Sequence, residues 1–216
     1  MSHGHREPAA GEDRWSASYW DERYASQPAL WSGNANAVVV AEATPLRPGR
    51  ALDVGSGEGG DALWLAAQGW EVVGVDVSVL ALGRAAGHAE TAGVSDRITW
   101  ERHDLLAWTP PRTTYDLVSV PFFHLPSVLR RGVYAGLADA VAPGGWFLVV
   151  AHHPLDFGTT VPRPPEPDLF FTAEELAEQL DDGWEVVTCE ARPRLGKDPE
   201  GREVTLHDTV LRARRG

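Results

Sequence analysis

Apolar positions follow two rhythms along this chain. Short stretches, mostly apolar at 51–54, 70–76, 115–120 and 146–151 and more mixed at 98–103, 184–190 and 205–212, punctuate the chain. They have the length of strands, and the run at 115–120 is almost wholly apolar after Asp116. A strand with that pattern is buried on both faces and sits centrally in a mostly parallel sheet. Between the runs, apolar residues recur with helical spacing over 14–27, 36–43, 62–67, 80–92, 129–140 and 172–180. Several ends are marked chemically. Ser78 is placed to cap the helix over 80–92 and Gly93 to stop it. Thr172 and Glu175 have the spacing of a capping box. Strands alternating with helices predict an α/β fold, a three-layer α/β/α sandwich with a mostly parallel sheet.

The first strand runs into Asp53-Val54-Gly55-Ser56-Gly57-Glu58-Gly59-Gly60, and a helix follows at once. Glycines in such a turn permit positive φ and let a ligand approach the main chain closely. Two nucleotide-type readings fit. Gly55, Gly57 and Gly60 satisfy G-x-G-x-x-G, the dinucleotide fingerprint of an NAD(P)-dependent oxidoreductase. With Asp53 ahead of them, Gly55, Gly57 and Gly59 satisfy D-x-G-x-G-x-G. The acids favour the second reading. A pyrophosphate prefers amide donors and a helix N-terminus, and Asp53 and Glu58 would repel it. A cationic ligand would gain from both. The second strand ends in Asp76, where a carboxylate can accept both hydroxyls of a ribose.

The D-x-G-x-G-x-G loop resembles that of class I S-adenosylmethionine-dependent methyltransferases. The likeness extends to Trp20-Asp21-Glu22-Arg23-Tyr24 with Leu30-Trp31, and to the Pro143-Gly144-Gly145 turn before an apolar strand. It is nearest to small-molecule methyltransferases of the tellurite-resistance, thiopurine and menaquinone-biosynthesis kinds. The resemblance implies a seven-stranded sheet of order 3-2-1-4-5-7-6 with the last strand antiparallel. It also implies S-adenosylmethionine as cofactor, S-adenosylhomocysteine as product, and cofactor-binding roles for Trp31, Asp53, Gly55, Ser56, Gly57, Gly59, Asp76, Val77, Asp104, Leu105 and Pro121. Asp53 would anchor the methionine end, and Asp104 would meet the adenine amino group beside the Leu105 amide. Tyr24 and Trp31 would belong to a lid.

Ligands bind beyond the C-terminal ends of parallel strands, which brings 121–125 and 152–153 to the site. His124 and His152 are the candidate catalytic bases, and Tyr24, Phe122, Phe123 and His153 the candidate substrate pocket. His152 and His153 point opposite ways if both continue the strand. His152, His153 and Asp156 match no strong metal motif, so no metal is expected. The domain organisation expected is a disordered tail over 1–13 and one methyltransferase domain over 14–216: a lid over 14–44, a cofactor core over 45–152, and a substrate loop and terminal hairpin over 153–216. A basic loop carrying Arg192, Arg194, Lys197 and Arg202 would join the last two strands.

Composition narrows the partners. The formal net charge of −12 over 216 residues argues against a nucleic-acid surface. No apolar run approaches a membrane span, the N-terminus has no signal-peptide core, and Cys189 is the one cysteine. A cytoplasmic small-molecule methyltransferase acting on O, N, S or a chalcogen is the expectation. A non-catalytic S-adenosylmethionine-binding module is the other alternative. Oligomeric state is not legible.

Overall fold

The structure is a computed structural model that describes residues 14–216; the tail expected over 1–13 lies outside the described residues. Seven strands form one sheet in the order β3-β2-β1-β4-β5-β7-β6. They are β1 (Arg50–Val54), β2 (Glu71–Asp76), β3 (Ile98–Arg102), β4 (Tyr115–Pro121), β5 (Val141–His152), β6 (Trp184–Lys197) and β7 (Glu203–Arg215). The first five pair in parallel, and β7 runs antiparallel to both β5 and β6. This is the expected order and the expected single reversal.

Both faces of the sheet are covered. Leu52, Val54, Val73, Val75, Val118, Val120, Phe147 and Val149 pack toward α5 (Ser127–Asp139) and α6 (Ala173–Ala177). Ala51, Val72, Leu117, Leu148 and Val150 pack toward α2 (Ala37–Ala43), α3 (Gly60–Ala67) and α4 (Val79–Ala92). The period-two alternation feeds two cores at once, so the strands read as apolar runs.

The caps act as the sequence suggests. Ser78 Oγ accepts from the Ala81 amide at 3.1 Å, Gly93 ends α4 at φ 70°, and the Thr172–Glu175 capping box is closed in both directions. Asn36 caps α2 through the Val38 and Val39 amides. The lid helix is shorter than the periodic stretch, α1 (Ala17–Ala25), with Ser16 as its cap.

The terminal hairpin is the main departure. The basic stretch between β6 and β7 is mostly strand, and its arginines are paired internally. Arg192 holds Glu42 at 2.6 Å, Arg194 holds Asp208 at 2.7 Å and Arg202 holds Asp198 at 2.6 Å. Each of these acids is buried, so the charges cross-link the hairpin instead of facing a ligand.

Trp100 of β3 lies over Gly74 of β2. A Cβ at Gly74 would stand 2.5 Å from the indole Cζ3. Gly74→Ala is therefore expected to destabilise the fold by about 1–3 kcal/mol, the scale of overpacking. Pairing it with Trp100→Leu should recover part of the loss. Urea unfolding midpoints of the three variants check this; an unshifted midpoint for Gly74→Ala would mean that the indole is seated elsewhere.

Candidate functional site

The glycine loop turns through three left-handed residues, Gly55 at φ 66°, Gly57 at φ 53° and Gly59 at φ 90°. Its neighbours explain why side chains are excluded. A Cβ at Gly57 would meet the Tyr24 hydroxyl at 2.9 Å and Trp31 Nε1 at 3.5 Å; one at Gly55 would meet the Phe123 ring at 3.3 Å. Trp31 Nε1 donates to Tyr24 Oη at 3.0 Å. The two lid aromatics and Phe123 thus lie against the loop, as the sequence suggests. Tyr24 is buried and Trp31 is half exposed.

Asp53 ends β1 beneath this loop. It is 1% exposed, and neither carboxylate oxygen has a hydrogen-bond partner. Burial first, and then the Asp61 charge, push its carboxyl well above the ordinary range; the Ala62 amide opposes this without closing a bond. Asp61 is itself pushed up to about 6 by burial, although the Asn36 amide donates to it. Ser119 of β4 sits opposite Asp53 in the register. Its hydroxyl and that of Ser56 are also buried without partners. Unpaired buried polar atoms are costly and call for explanation. Here they converge where β1 and β4 end.

Asp76 does more than the sequence suggests. Its Oδ2 accepts from the Gly57 amide and its Oδ1 from the Ser78 amide, both at 2.9 Å. One carboxylate therefore shapes the glycine loop and the start of α4 while keeping free lone pairs. Burial raises its pKa against those two bonds.

Glu58 requires a correction. The sequence offers it as a charge facing a ligand, but Arg84 donates to its Oε1 at 2.8 Å, and the Leu30 and Trp31 amides donate to its Oε2. Arg84 also donates to the Tyr24 and Gln27 carbonyls. Burial would raise the Glu58 pKa, but these partners outweigh it and hold the carboxyl below its ordinary value. Glu58 fastens the segment from Tyr24 to Trp31; Asp53 is the acid left without a partner.

Asp104 is exposed and closes a turn, its Oδ1 accepting from the Leu106 amide at 2.9 Å, while Leu105 is buried. The Val77 carbonyl accepts from Arg102 at 3.1 Å.

Beyond Pro121, the segment after β4 is held from several sides. Tyr134 donates to the Phe123 carbonyl at 2.6 Å, Arg130 to that of Leu125 at 2.8 Å, and Trp15 to that of His124 at 3.0 Å. Phe122 sits at φ 52°, an uncommon and strained conformation for a bulky residue. That turn aims its ring at His152, 4.9 Å between centroids. His124 and His152 stack at 4.6 Å.

The two histidines differ. His124 Nε2 accepts the His152 amide at 3.1 Å, so its lone pair is engaged and its other nitrogen carries the proton. Burial lowers its pKa to about 4. His152 falls to about 2, by burial first and then by the His124, Arg163 and Arg194 charges. Both rings are neutral at physiological pH. His153 turns the other way, accepting from the Leu155 amide at 3.2 Å with its ring 6.4 Å from that of His207. The structure thus separates His153 from the Phe122–His124–His152 group.

A groove of about 960 Å³ between α5 and α6 is lined by Arg130, Tyr134, Phe170 and Leu176, among others, and by none of these carboxylates. Among the described residues, no helix is long and apolar enough to cross a membrane, and no group of three His, Cys, Asp or Glu side chains could hold a metal.

Residues 51–145, from β1 into β5, match the family model described as a methyltransferase domain. Over those residues, a little under half of its length, the chain is similar to a methyltransferase domain. The chain is 30% identical over 126 residues to the 2-heptyl-1-hydroxyquinolin-4(1H)-one methyltransferase of Mycobacteroides abscessus, covering 56% of this chain and 55% of that protein. It is 34% identical over 129 residues to the ubiquinone biosynthesis O-methyltransferase of Burkholderia ambifaria, covering 54% of each. The chain thus spans about half the length of these curated relatives. Among solved structures, TehB of Haemophilus influenzae superposes with a TM-score of 0.67 at 22% identity, over 93% of this chain and 67% of that one. A chain solved in work on conversion of a disulfide bond into a thioacetal group during echinomycin biosynthesis reaches 0.74 at 24% identity, over 92% and 91%. These two likenesses concern the fold.

The unpaired Asp53 carboxylate fits a cationic ligand group and disfavours an anionic one. The Asn34 carbonyl crowds Gly60 at the start of α3, where a Cβ would stand 2.8 Å from its oxygen. Ser119 was missed by sequence reasoning, since only its register beside Asp53 singles it out.

A folded-state pKa raised above the ordinary 3.8 means that the fold disfavours ionised Asp53. The destabilisation is full above the folded value and vanishes below the unfolded one. Asp53→Asn should therefore stabilise the ligand-free protein by about 1–3 kcal/mol near neutral pH, the scale of an unsatisfied buried group. The gain should fade as pH falls toward about 4. Thermal unfolding across that range checks both sign and trend; a loss of stability at neutral pH would contradict them.

Proposed function

We propose that this protein is an S-adenosylmethionine-dependent methyltransferase that methylates an O, N, S or chalcogen atom of a small molecule. The observation that carries the reading is the partnerless Asp53 carboxylate beneath three left-handed glycines. In this assignment Asp53 takes the ammonium of the methionine end, with the Ser56 and Ser119 hydroxyls beside it. The remaining lone pairs of Asp76 take the ribose hydroxyls, next to Val77. Asp104 and the Leu105 amide take the adenine edge. Gly55, Gly57 and Gly59 form the floor, Pro121 bounds the acceptor side, and Tyr24 and Trp31 close the lid over 14–44.

Bound there, S-adenosylmethionine supplies an electrophilic methyl group on a sulfonium and leaves as S-adenosylhomocysteine. The chain's part is alignment and exclusion of water. Phe122 and Phe123 hold the acceptor in line. His152 is the ring with a nitrogen left to take the acceptor's proton, while His124 holds the His152 backbone in place. A histidine pushed down to about 2 is a weak base. It suits an acceptor that arrives already ionised, or a soft atom that needs little help. We assign the protein to the cytosol, with no nucleic-acid partner, in keeping with its charge of −12.

Calorimetry tests the reading. S-adenosylhomocysteine should bind, and NAD(P) should give no heat. Asp53→Asn should weaken S-adenosylhomocysteine binding at least about tenfold, and Asp76→Ala by about 1–3 kcal/mol, the scale of charged hydrogen bonds. Tight NAD(P) uptake without S-adenosylhomocysteine binding would favour an oxidoreductase instead. Binding without transfer to any thiol, amine, phenol or oxyanion would favour a non-catalytic module.

A further inference from the structure

Arg163 lies midway along the proline-rich segment that passes the ends of β4 and β5. Its side chain is 12% exposed. Its Nε is buried without a partner. Its other contacts are long, Nη1 to the Pro162 carbonyl at 3.4 Å and Nη2 to Asp156 Oδ2 at 3.5 Å. Five donors in a fixed fork, with two marginal bonds, are far from satisfied.

The acids nearby do not supply what is missing. Asp156 Oδ1 accepts from the His207 amide at 2.9 Å and lies 3.2 Å from its ring Nδ1. Asp208 Oδ2 accepts from Arg194 at 2.7 Å, and its Oδ1 is left over without reaching Arg163. Arg163 and Arg194 balance Asp156 and Asp208 in charge, so the shortage is of hydrogen-bond acceptors on the fork. Toward the histidines the field is positive, since Arg163 lowers the pKa of both His124 and His152.

Asp156 ties Arg163 to His207, whose neighbour Asp208 pairs with His152 in the sheet, and a line of rings includes His152. Phe157 is 47% exposed at the surface and meets Phe170 edge-on at 5.4 Å. Phe170 lies 6.1 Å from His152, and His152 lies 4.9 Å from Phe122. Flat apolar walls suit a flat apolar ligand, and a guanidinium fork suits a planar anion.

We propose that the methyl acceptor is an aromatic acid whose ring lies among Phe122, His152 and Phe170 and whose anionic group is held by Arg163. This rests on the methyltransferase reading and adds a specificity-determining residue to it.

The test uses the full chain loaded with S-adenosylhomocysteine, titrated with hydroxybenzoates, hydroxyquinoline carboxylates and the amide of each, followed by tryptophan fluorescence. The acids should bind at least about tenfold more tightly than their amides. Arg163→Gln should abolish that preference and leave S-adenosylhomocysteine affinity unchanged, and Arg163→Lys should restore it only in part. Amides binding as well as the acids, no acid binding, or a preference that survives Arg163→Gln would overturn the proposal. The comparison in the unaltered protein stands even if Arg163→Gln fails to fold. Failure to load S-adenosylhomocysteine at all would instead overturn the methyltransferase reading.

Discussion

A carboxylate removed from water at the end of β1, with nothing to bond to, is the constraint on which the rest of this structure depends. An ion so placed is unfavourable unless something completes it. Its surroundings prevent it from escaping. Two cores clamp the sheet on both faces, leaving Asp53 no route to solvent. Asp61 and Asp76 add like charge and no donor. The left-handed glycines turn the chain just after it, and Tyr24 and Trp31 lie against that turn. Stability is given up locally, and in the proposed function a cationic group would restore it.

The other acids around the loop are completed, and each does a separate job. Asp76 binds two amides and so sets the curve of the glycine loop relative to β2 and α4. Glu58 and Arg84 join the loop to the chain at Tyr24, Gln27, Leu30 and Trp31. The loop and the segment from Tyr24 to Trp31 are therefore joined, and moving that segment means disturbing an ion pair whose acid is buried. On the far side, Glu42, Asp198 and Asp208 fix the long hairpin through arginines. That hairpin supports the acceptor end: Asp208 stands opposite His152, and the amide of its neighbour His207 bonds Asp156 beneath Arg163.

Much of this was legible in the sequence because it is local. Ser78, Gly93 and the Thr172–Glu175 pair act within a few residues of themselves, and the glycine loop advertises its φ angles through composition. The parallel sheet followed from strands apolar on both faces. What could not be read depends on partners far along the chain. Glu58 looks like a free charge until Arg84, on the next helix, is seen to reach it. Ser119 is an ordinary strand residue until the register sets it beside Asp53. Arg192 suggests a solvated loop because its partner Glu42 lies 150 residues earlier in the chain. Arg163, the one basic residue of the proline-rich segment over 154–171, carries no local signal at all.

The most direct test of the central claim is the titration of Asp53 itself, followed by carboxyl-carbon NMR in the free protein and with S-adenosylhomocysteine bound. The account requires the free carboxyl to titrate well above the ordinary aspartate value and to fall sharply once the ligand's ammonium is beside it. An ordinary value in the free protein, or one that S-adenosylhomocysteine leaves unchanged, would contradict it.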